Sequence, residues 1–126
     1  MSEHVQVLIV DDQPRARHSL KALLATCPLI GEIHEASNGQ EAISRIEQTQ
    51  PDLVLMDIFM PVMDGYAATR QIKTRWPAIR VIALSMYADC QADVMAAGAD
   101  AFMSKGESPE NVLDRISQVL HDESPG

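Results

Sequence analysis

Five side chains in this sequence could act together on a charged, oxygen-rich group: the paired carboxylates Asp11 and Asp12, the carboxylate of Asp57, the hydroxyl of Ser85 and the ammonium of Lys105. Each stands at the end of a short, mainly apolar run of strand length: Asp11-Asp12 after Val5–Val10, Asp57 after residues 53–56, Ser85 after 80–84, and Lys105 after 101–104. Three carboxylates drawn together raise one another's pKa, and a hard divalent cation removes that conflict and holds all of them ionised. Magnesium suits such a group. It takes oxygen ligands at ~2.0 to 2.1 Å in an octahedron and keeps positions open for water or substrate oxygens. With the metal on one side and Lys105 on the other, a phosphoryl group on Asp57 has most of its charge neutralised, and Ser85 can donate one hydrogen bond to it. The set reads as a phosphoryl acceptor.

For these groups to meet, the elements carrying them must end on one edge. Apolar runs alternate with segments of helical period five times over, the pattern of βα units. After the first strand, residues 14–26 put Leu20, Leu23, Leu24 and Cys27 on one helical stripe, which Pro28 ends. Residues 32–36 form a second strand, Ser37-Asn38-Gly39 a turn or cap, and Ala42, Ile43 and Ile46 the inner face of a second helix. The unbroken apolar run 53–56 suits a central strand covered on both faces. A third helix is expected over residues 64–76, capped by Asp64 and stopped by Pro77, and a fourth over 88–97, closed by Gly98. Ser108-Pro109-Glu110 starts a fifth, in which Val112, Leu113, Ile116, Val119 and Leu120 share a face. Five parallel strands and five helices make an α/β, doubly wound sheet, and such sheets bind ligands beyond the carboxyl ends of their strands.

The chain has 126 residues, enough for one domain that buries roughly two-thirds of its unfolded surface. Ten Lys and Arg against eighteen Asp and Glu give a formal charge of -8, which disfavours nucleic acid and anionic lipid and favours a cation or a basic protein surface. Cys27 and Cys90 form no CxxC pair and the four His show no ligand spacing, so a reducing cytoplasm is the expected location and zinc is not expected. No export signal or membrane span is expected from the start at Met1-Ser2-Glu3-His4 or from any later run. Residues 122–126 read as a polar tail or the beginning of a linker.

The string Leu53-Val54-Leu55-Met56-Asp57-Ile58-Phe59-Met60-Pro61-Val62-Met63-Asp64-Gly65, with Asp11-Asp12, Ser85 and Lys105 in order, closely resembles the receiver domain of two-component response regulators. The resemblance covers about residues 5–121, and four motifs in order at four strand ends make it specific. It implies a flavodoxin-like sheet of order 2-1-3-4-5, in which strands one and three are neighbours and the three carboxylates converge. By position, Asp57 matches the phosphoacceptor, Asp12 the direct metal ligand and Asp11 the ligand acting mainly through water. Phe59 would supply a backbone carbonyl to the metal, which is Mg2+, with Mn2+ as the alternative. Ser85 matches the switch hydroxyl, Lys105 the phosphoryl-binding lysine, and Phe102 the aromatic whose ring turns inward when the hydroxyl moves.

The partner so implied is a histidine kinase or phosphotransfer protein carrying phosphohistidine, with the face of helix four, strand five and helix five as the output surface and phosphorylation-dependent homodimerisation through it. Leu84-Ser85-Met86-Tyr87-Ala88-Asp89 and Ala97-Gly98-Ala99-Asp100-Ala101-Phe102 look like receivers of the NarL/FixJ (LuxR-type) group that precede a DNA-binding helix-turn-helix. No such effector lies within these residues, and the alternative is a stand-alone receiver serving a phosphorelay or a protein target. The protein is a switching module on this reading, not an enzyme. Gly106 stands where a proline commonly follows the lysine, Ser85 where threonine is more frequent, and Met86 where a small residue often gives access to the phosphoryl group. Phe59, Met86 and Tyr87 supply apolar bulk beside the acceptor, so slow self-dephosphorylation is expected. Other readings fit less well. Taken singly, Asp11-Asp12 would be a helix cap, Asp57 and Lys105 surface charges, Ser85 a backbone partner and Phe102 a core residue. A phosphatase of the haloacid dehalogenase type needs a carboxylate where Phe59 stands, and a nucleotide binder needs a glycine-rich turn where Asp11-Asp12-Gln13-Pro14 stands.

Overall fold

The computed structural model describes residues 4–121, so the expected tail at 122–126 lies outside the described residues. The elements are β1 (Val5–Val10), α1 (Pro14–Leu24), β2 (Ile30–Ala36), α2 (Gly39–Gln48), β3 (Leu53–Asp57) and α3 (Gly65–Arg75). They continue with β4 (Arg80–Ser85), a 3-10 turn (Ala88–Cys90), α4 (Gln91–Ala96), β5 (Ala101–Ser104) and α5 (Pro109–His121). The strands are all parallel in the order β2-β1-β3-β4-β5, the flavodoxin-like arrangement that the resemblance implied.

Because side chains alternate along a strand, the buried runs supply two cores. Leu8, Val10, Val54, Met56, Val81, Ala83 and Phe102 face α2, α3 and α4, meeting Ile43, Ile46, Ile72 and Val94. Val7, Ile9, Leu53, Leu55, Ile82, Leu84 and Met103 face the other way, onto Leu24 of α1 and Val112, Ile116 and Val119 of α5. Burial on both faces accounts for the continuous apolar runs of β1, β3 and β4.

Local chemistry sets the helix starts. Asn38 Oδ1 accepts the Glu41 N–H at 2.9 Å while Glu41 reaches back to the Ser37 N–H at 2.6 Å, so two otherwise orphaned donors are satisfied at the start of α2. Asp64 caps α3 through the Ala67 N–H at 2.9 Å, and Ser108 caps α5 through Asn111. Gly98, at φ +113°, turns the chain after α4 in a conformation that strains any side chain.

Boundaries differ from the sequence reading where pairing decides them. β2 begins at Ile30, two residues early, because Val5 pairs with Ile30 across a register shift. α1 ends at Leu24, leaving Cys27 in the turn that follows, where its N–H bonds to the Leu24 carbonyl. The fourth helix divides into a 3-10 turn and six α-helical residues, and Met95 on it is 38% exposed. Trp76 lies beyond α3 with the Arg75 guanidinium 4.3 Å above its ring, at the end of α3 opposite to Asp57.

Candidate functional site

β1 and β3 are neighbours in register, Val10 beside Met56, so the residues that follow emerge side by side. Asp11 is 1% exposed and Asp57 6%, both in a parallel-sheet edge that offers few backbone groups to solvate them. One oxygen from each of Asp11, Asp12 and Asp57 lies within 4.8 Å of the others. From the end of β5, Lys105 Nζ donates to Asp11 Oδ2 at 2.9 Å and contacts Asp57 Oδ1 at 3.1 Å. Asp57 Oδ1 also accepts the Ile58 N–H at 2.9 Å, and Asp11 Oδ1 accepts the Gln13 N–H at 2.9 Å. Both buried carboxylates are therefore oriented before any ligand arrives.

The electrostatics are unbalanced in one direction. Burial pushes the Asp57 carboxyl above the usual carboxylate range, the Asp11 charge pushes it further, and Lys105 and the Ile58 N–H only partly oppose them. Burial alone would lower the Lys105 ammonium, but its hydrogen bonds and charge attraction to Asp11 and Asp57 outweigh that and raise it. Three formal carboxylates against one ammonium leave two negative charges in excess. The donor set and that excess fit a hard divalent cation bound through oxygen, so the residues suit the metal expected from the sequence.

The remaining expected residues surround a cavity of about 380 Å³. Asp12, Asp57, Ser85 and Lys105 line it, with Phe59, Met86 and Tyr87 at its rim. Those three are 53%, 70% and 61% exposed, unusual for large apolar side chains. The Phe59 ring stands edge-on between Tyr66 and Tyr87, at 6.2 and 5.7 Å between centroids. Ser85 is buried, and its Oγ accepts the Tyr87 N–H at 3.0 Å. Phe102 is 8% exposed within the α2–α4 core, so its ring is already turned inward. A second, apolar groove of about 290 Å³ between α1 and the start of α5 reaches Asp11 and Lys105 from the opposite side.

The loop from β3 to α3 is drawn tight against the acceptor. Gly65 N–H bonds back to the Ile58 carbonyl at 2.7 Å, and a Cβ on Gly65 would press on the Asp57 carbonyl oxygen and stand 2.8 Å from Ile58 Cα. Val62, at the loop's tip, holds φ at 70°, an uncommon value for a β-branched residue and a local strain beside the site. Sequence reasoning also passed over Arg17. Its Nη1 donates to the Asp11 carbonyl at 2.6 Å and its Nε to Glu35 Oε1 at 3.0 Å. The only sequence signal was a basic residue one turn into α1, where a side chain points back toward the helix start. Its partner on β2 is remote in the chain.

The sequence model of the response regulator receiver domain matches residues 7–117. This chain is a member of the response regulator receiver family. It is 34% identical over 122 residues to the response regulator protein VraR of Staphylococcus aureus, an alignment that covers 95% of this chain and 58% of VraR, so the chain spans little more than half the length of that relative. The receiver also superposes on a LuxR-family two-component response regulator from Aurantimonas with a TM-score of 0.87 at 28% identity, covering 93% of this chain and 85% of that one. With the signal receiver domain of the response regulator NarL from Mycobacterium tuberculosis the TM-score is 0.89 at 24% identity, over 96% and 99% of the two chains, a likeness of fold. Among the described residues of this receiver, no helix is long and apolar enough to cross a membrane.

Proposed function

We propose that this receiver takes a phosphoryl group onto Asp57 from a phosphohistidine, with Mg2+ (or Mn2+) held by Asp11, Asp12, Asp57 and the backbone carbonyl of Phe59. The observation that carries the reading is Lys105 reaching Asp57 and Asp11 together, with Asp12 completing the acidic group within 4.8 Å. An Asp57 oxygen attacks phosphorus in line, a P–O bond forms, and the P–N bond breaks with its electron pair leaving on the imidazole nitrogen. Lys105 then bonds an equatorial oxygen of the transferred group, and a divalent cation held by Asp11, Asp12, Asp57 and the Phe59 carbonyl would supply neutralisation of the charge on that group. The chain contributes positioning and field rather than a proton relay.

Ser85 is the switch hydroxyl on this reading: it leaves the Tyr87 N–H and donates to the phosphoryl group, while Phe102 holds the neighbouring core space. The change reaches partners through the face of α4, β5 and α5, where phosphorylation promotes a homodimer. The donor is a histidine kinase or phosphotransfer protein in the cytoplasm. The receiver unit spans residues 1–121, with 122–126 a polar tail or the start of a linker, and its output is the control of a DNA-binding effector of the LuxR type. A stand-alone receiver serving a phosphorelay is the second reading, favoured by the acidic balance of the chain, which suits a protein target.

Intact mass after incubation with acetyl phosphate tests the proposal. One phosphoryl adduct that requires both Mg2+ and Asp57, and disappears in Asp57→Asn, supports it. No adduct from acetyl phosphate or from a phosphohistidine donor, in a folded protein, refutes it.

A further inference from the structure

Asp11 is held at every polar atom. Its N–H bonds to the Ala36 carbonyl at 3.1 Å, its two carboxylate oxygens to Gln13 N–H and Lys105, and its carbonyl oxygen to Arg17 at 2.6 Å. The last contact bears on a different residue. The peptide plane whose oxygen Arg17 grips is the plane whose nitrogen belongs to Asp12, so the guanidinium fixes the rotation that places Asp12. Among the described residues, no side-chain hydrogen bond holds the Asp12 carboxylate, and its position rests on that backbone. Arg17 is itself anchored: Glu35 on β2 accepts its Nε at 3.0 Å, and burial of the Glu35 carboxyl is outweighed by Arg17 and Lys21, which hold it ionised. The arginine side chain is 17% exposed, and its planar fork spans two acceptors on two different strands.

We propose that Arg17, oriented by Glu35, is a positioning residue for the cation site: it sets the Asp11–Asp12 peptide so that the Asp12 carboxylate faces Asp57. This rests on the metal site proposed above. The sign of the effect separates positioning from simple field. A guanidinium near a divalent cation repels it, so a residue acting only through charge would weaken Mg2+ binding, and its removal would tighten it. A positioning residue does the reverse, and loss of an outer partner of a metal ligand costs about 10-fold or more in affinity.

The test is a titration of the full chain with Mg2+ alone, read by amide chemical shifts around Asp57, with thermal midpoints measured in parallel. Arg17→Gln is expected to weaken Mg2+ about 10-fold, and Arg17→Lys, which cannot span both acceptors, nearly as much. Glu35→Leu removes the acceptor that anchors Arg17 and is expected to weaken Mg2+ several-fold, and the charge-conserving Arg17→Lys keeps the test open should Arg17→Gln fold poorly, because a field effect alone would leave it unchanged. Lys21→Gln, which touches Glu35 at 3.5 Å and not Asp11, serves as the control and is expected to stay within about two-fold. Unchanged or tighter Mg2+ binding in folded Arg17→Gln or Arg17→Lys overturns the positioning role while leaving the metal site standing. Absence of Mg2+ binding to the parent chain overturns the metal site itself.

Discussion

Asp57→Asn should stabilise this protein when no metal is present, and the interactions around the carboxylate allow the size of the effect to be worked out. At an effective dielectric of about 20, repulsion between Asp57 and Asp11 at the 4.8 Å limit of their cluster is about 3.5 kcal/mol, and attraction to Lys105 at 3.1 Å is about 5 kcal/mol. Asp12, within the same 4.8 Å but more open to solvent, adds a weaker repulsion, so charge pairing about cancels, while burying an ion costs several kcal/mol even after the protein relaxes. Burial wins, in agreement with the upward displacement of the Asp57 carboxyl, whose largest cause is desolvation. Asparagine keeps an oxygen for the Ile58 N–H and sheds the charge, so a gain of about 1–2 kcal/mol is expected, or roughly 4 °C per kcal/mol in Tm for a domain of this size. A carboxyl raised in the folded state binds more protons there than in the unfolded state, so its presence lowers stability as pH rises from the ordinary aspartate range through the raised pKa. The advantage of Asp57→Asn should consequently be absent in acid below that window and complete above it. Urea unfolding with EDTA, at acidic and neutral pH, measures both. With saturating Mg2+ the order should close or invert, since binding stabilises the parent and the variant has lost a ligand. A less stable variant at neutral pH without metal, or an advantage that grows in acid, would falsify the reasoning.

Three further outcomes follow from the same contacts. Lys105→Met removes the one cation that, among the described residues, touches the two buried carboxylates, and should cost about 3 kcal/mol in metal-free urea unfolding, much of it recovered on adding Mg2+. Gly65→Ala forces a Cβ against the Asp57–Ile58 backbone, so it should cost about 1–3 kcal/mol and slow adduct formation from acetyl phosphate, as read by intact mass. Phe59→Gln places a polar group where an aromatic ring now borders the cavity, and by orienting water it should shorten the phosphoryl lifetime roughly 10-fold in a radiolabel decay assay, whereas Phe59→Leu should not.

Much of this arrangement was legible because it is written locally. Unbroken apolar runs at β1, β3 and β4 mark strands covered on both faces, and Asn38, Asp64, Gly98 and Ser108 mark helix ends through their own backbone contacts. The chemical residues stand out for the same reason: Asp11, Asp57 and Ser85 are each the first polar group at the end of a buried run, Asp12 adjoins Asp11, and Lys105 directly follows β5. Strand order, by contrast, came from resemblance, since the apolar pattern of β1 is indifferent to which strand lies beside it. The early start of β2 depends on Val5 pairing with Ile30, and the division of α4 on backbone and thiol bonds from Cys90 to Tyr87, neither of which leaves a periodic trace. Arg17 was missed because its meaning lies in two acceptors on β1 and β2, while on α1 alone it reads as a solvated charge.

The way a change at Asp57 could leave the site follows from what Ser85 now does. On the proposed reading, Ser85 Oγ swings toward a phosphoryl group on Asp57, and the Tyr87 N–H would then lose its present acceptor. Tyr87 is in turn the acceptor for both the Cys90 N–H, at 3.3 Å, and the Cys90 thiol, at 3.0 Å, which tie the start of α4 to it. With only six α-helical residues behind that 3-10 turn, α4 has few internal bonds to keep its orientation once the tie moves. β5 moves less readily, since Ser85 pairs with Ser104 and Ala83 with Phe102 within the sheet, and Phe102 is already packed in the core. On the proposed reading, the β4–α4 segment would report the state of Asp57 by shifting against the core that holds Phe102.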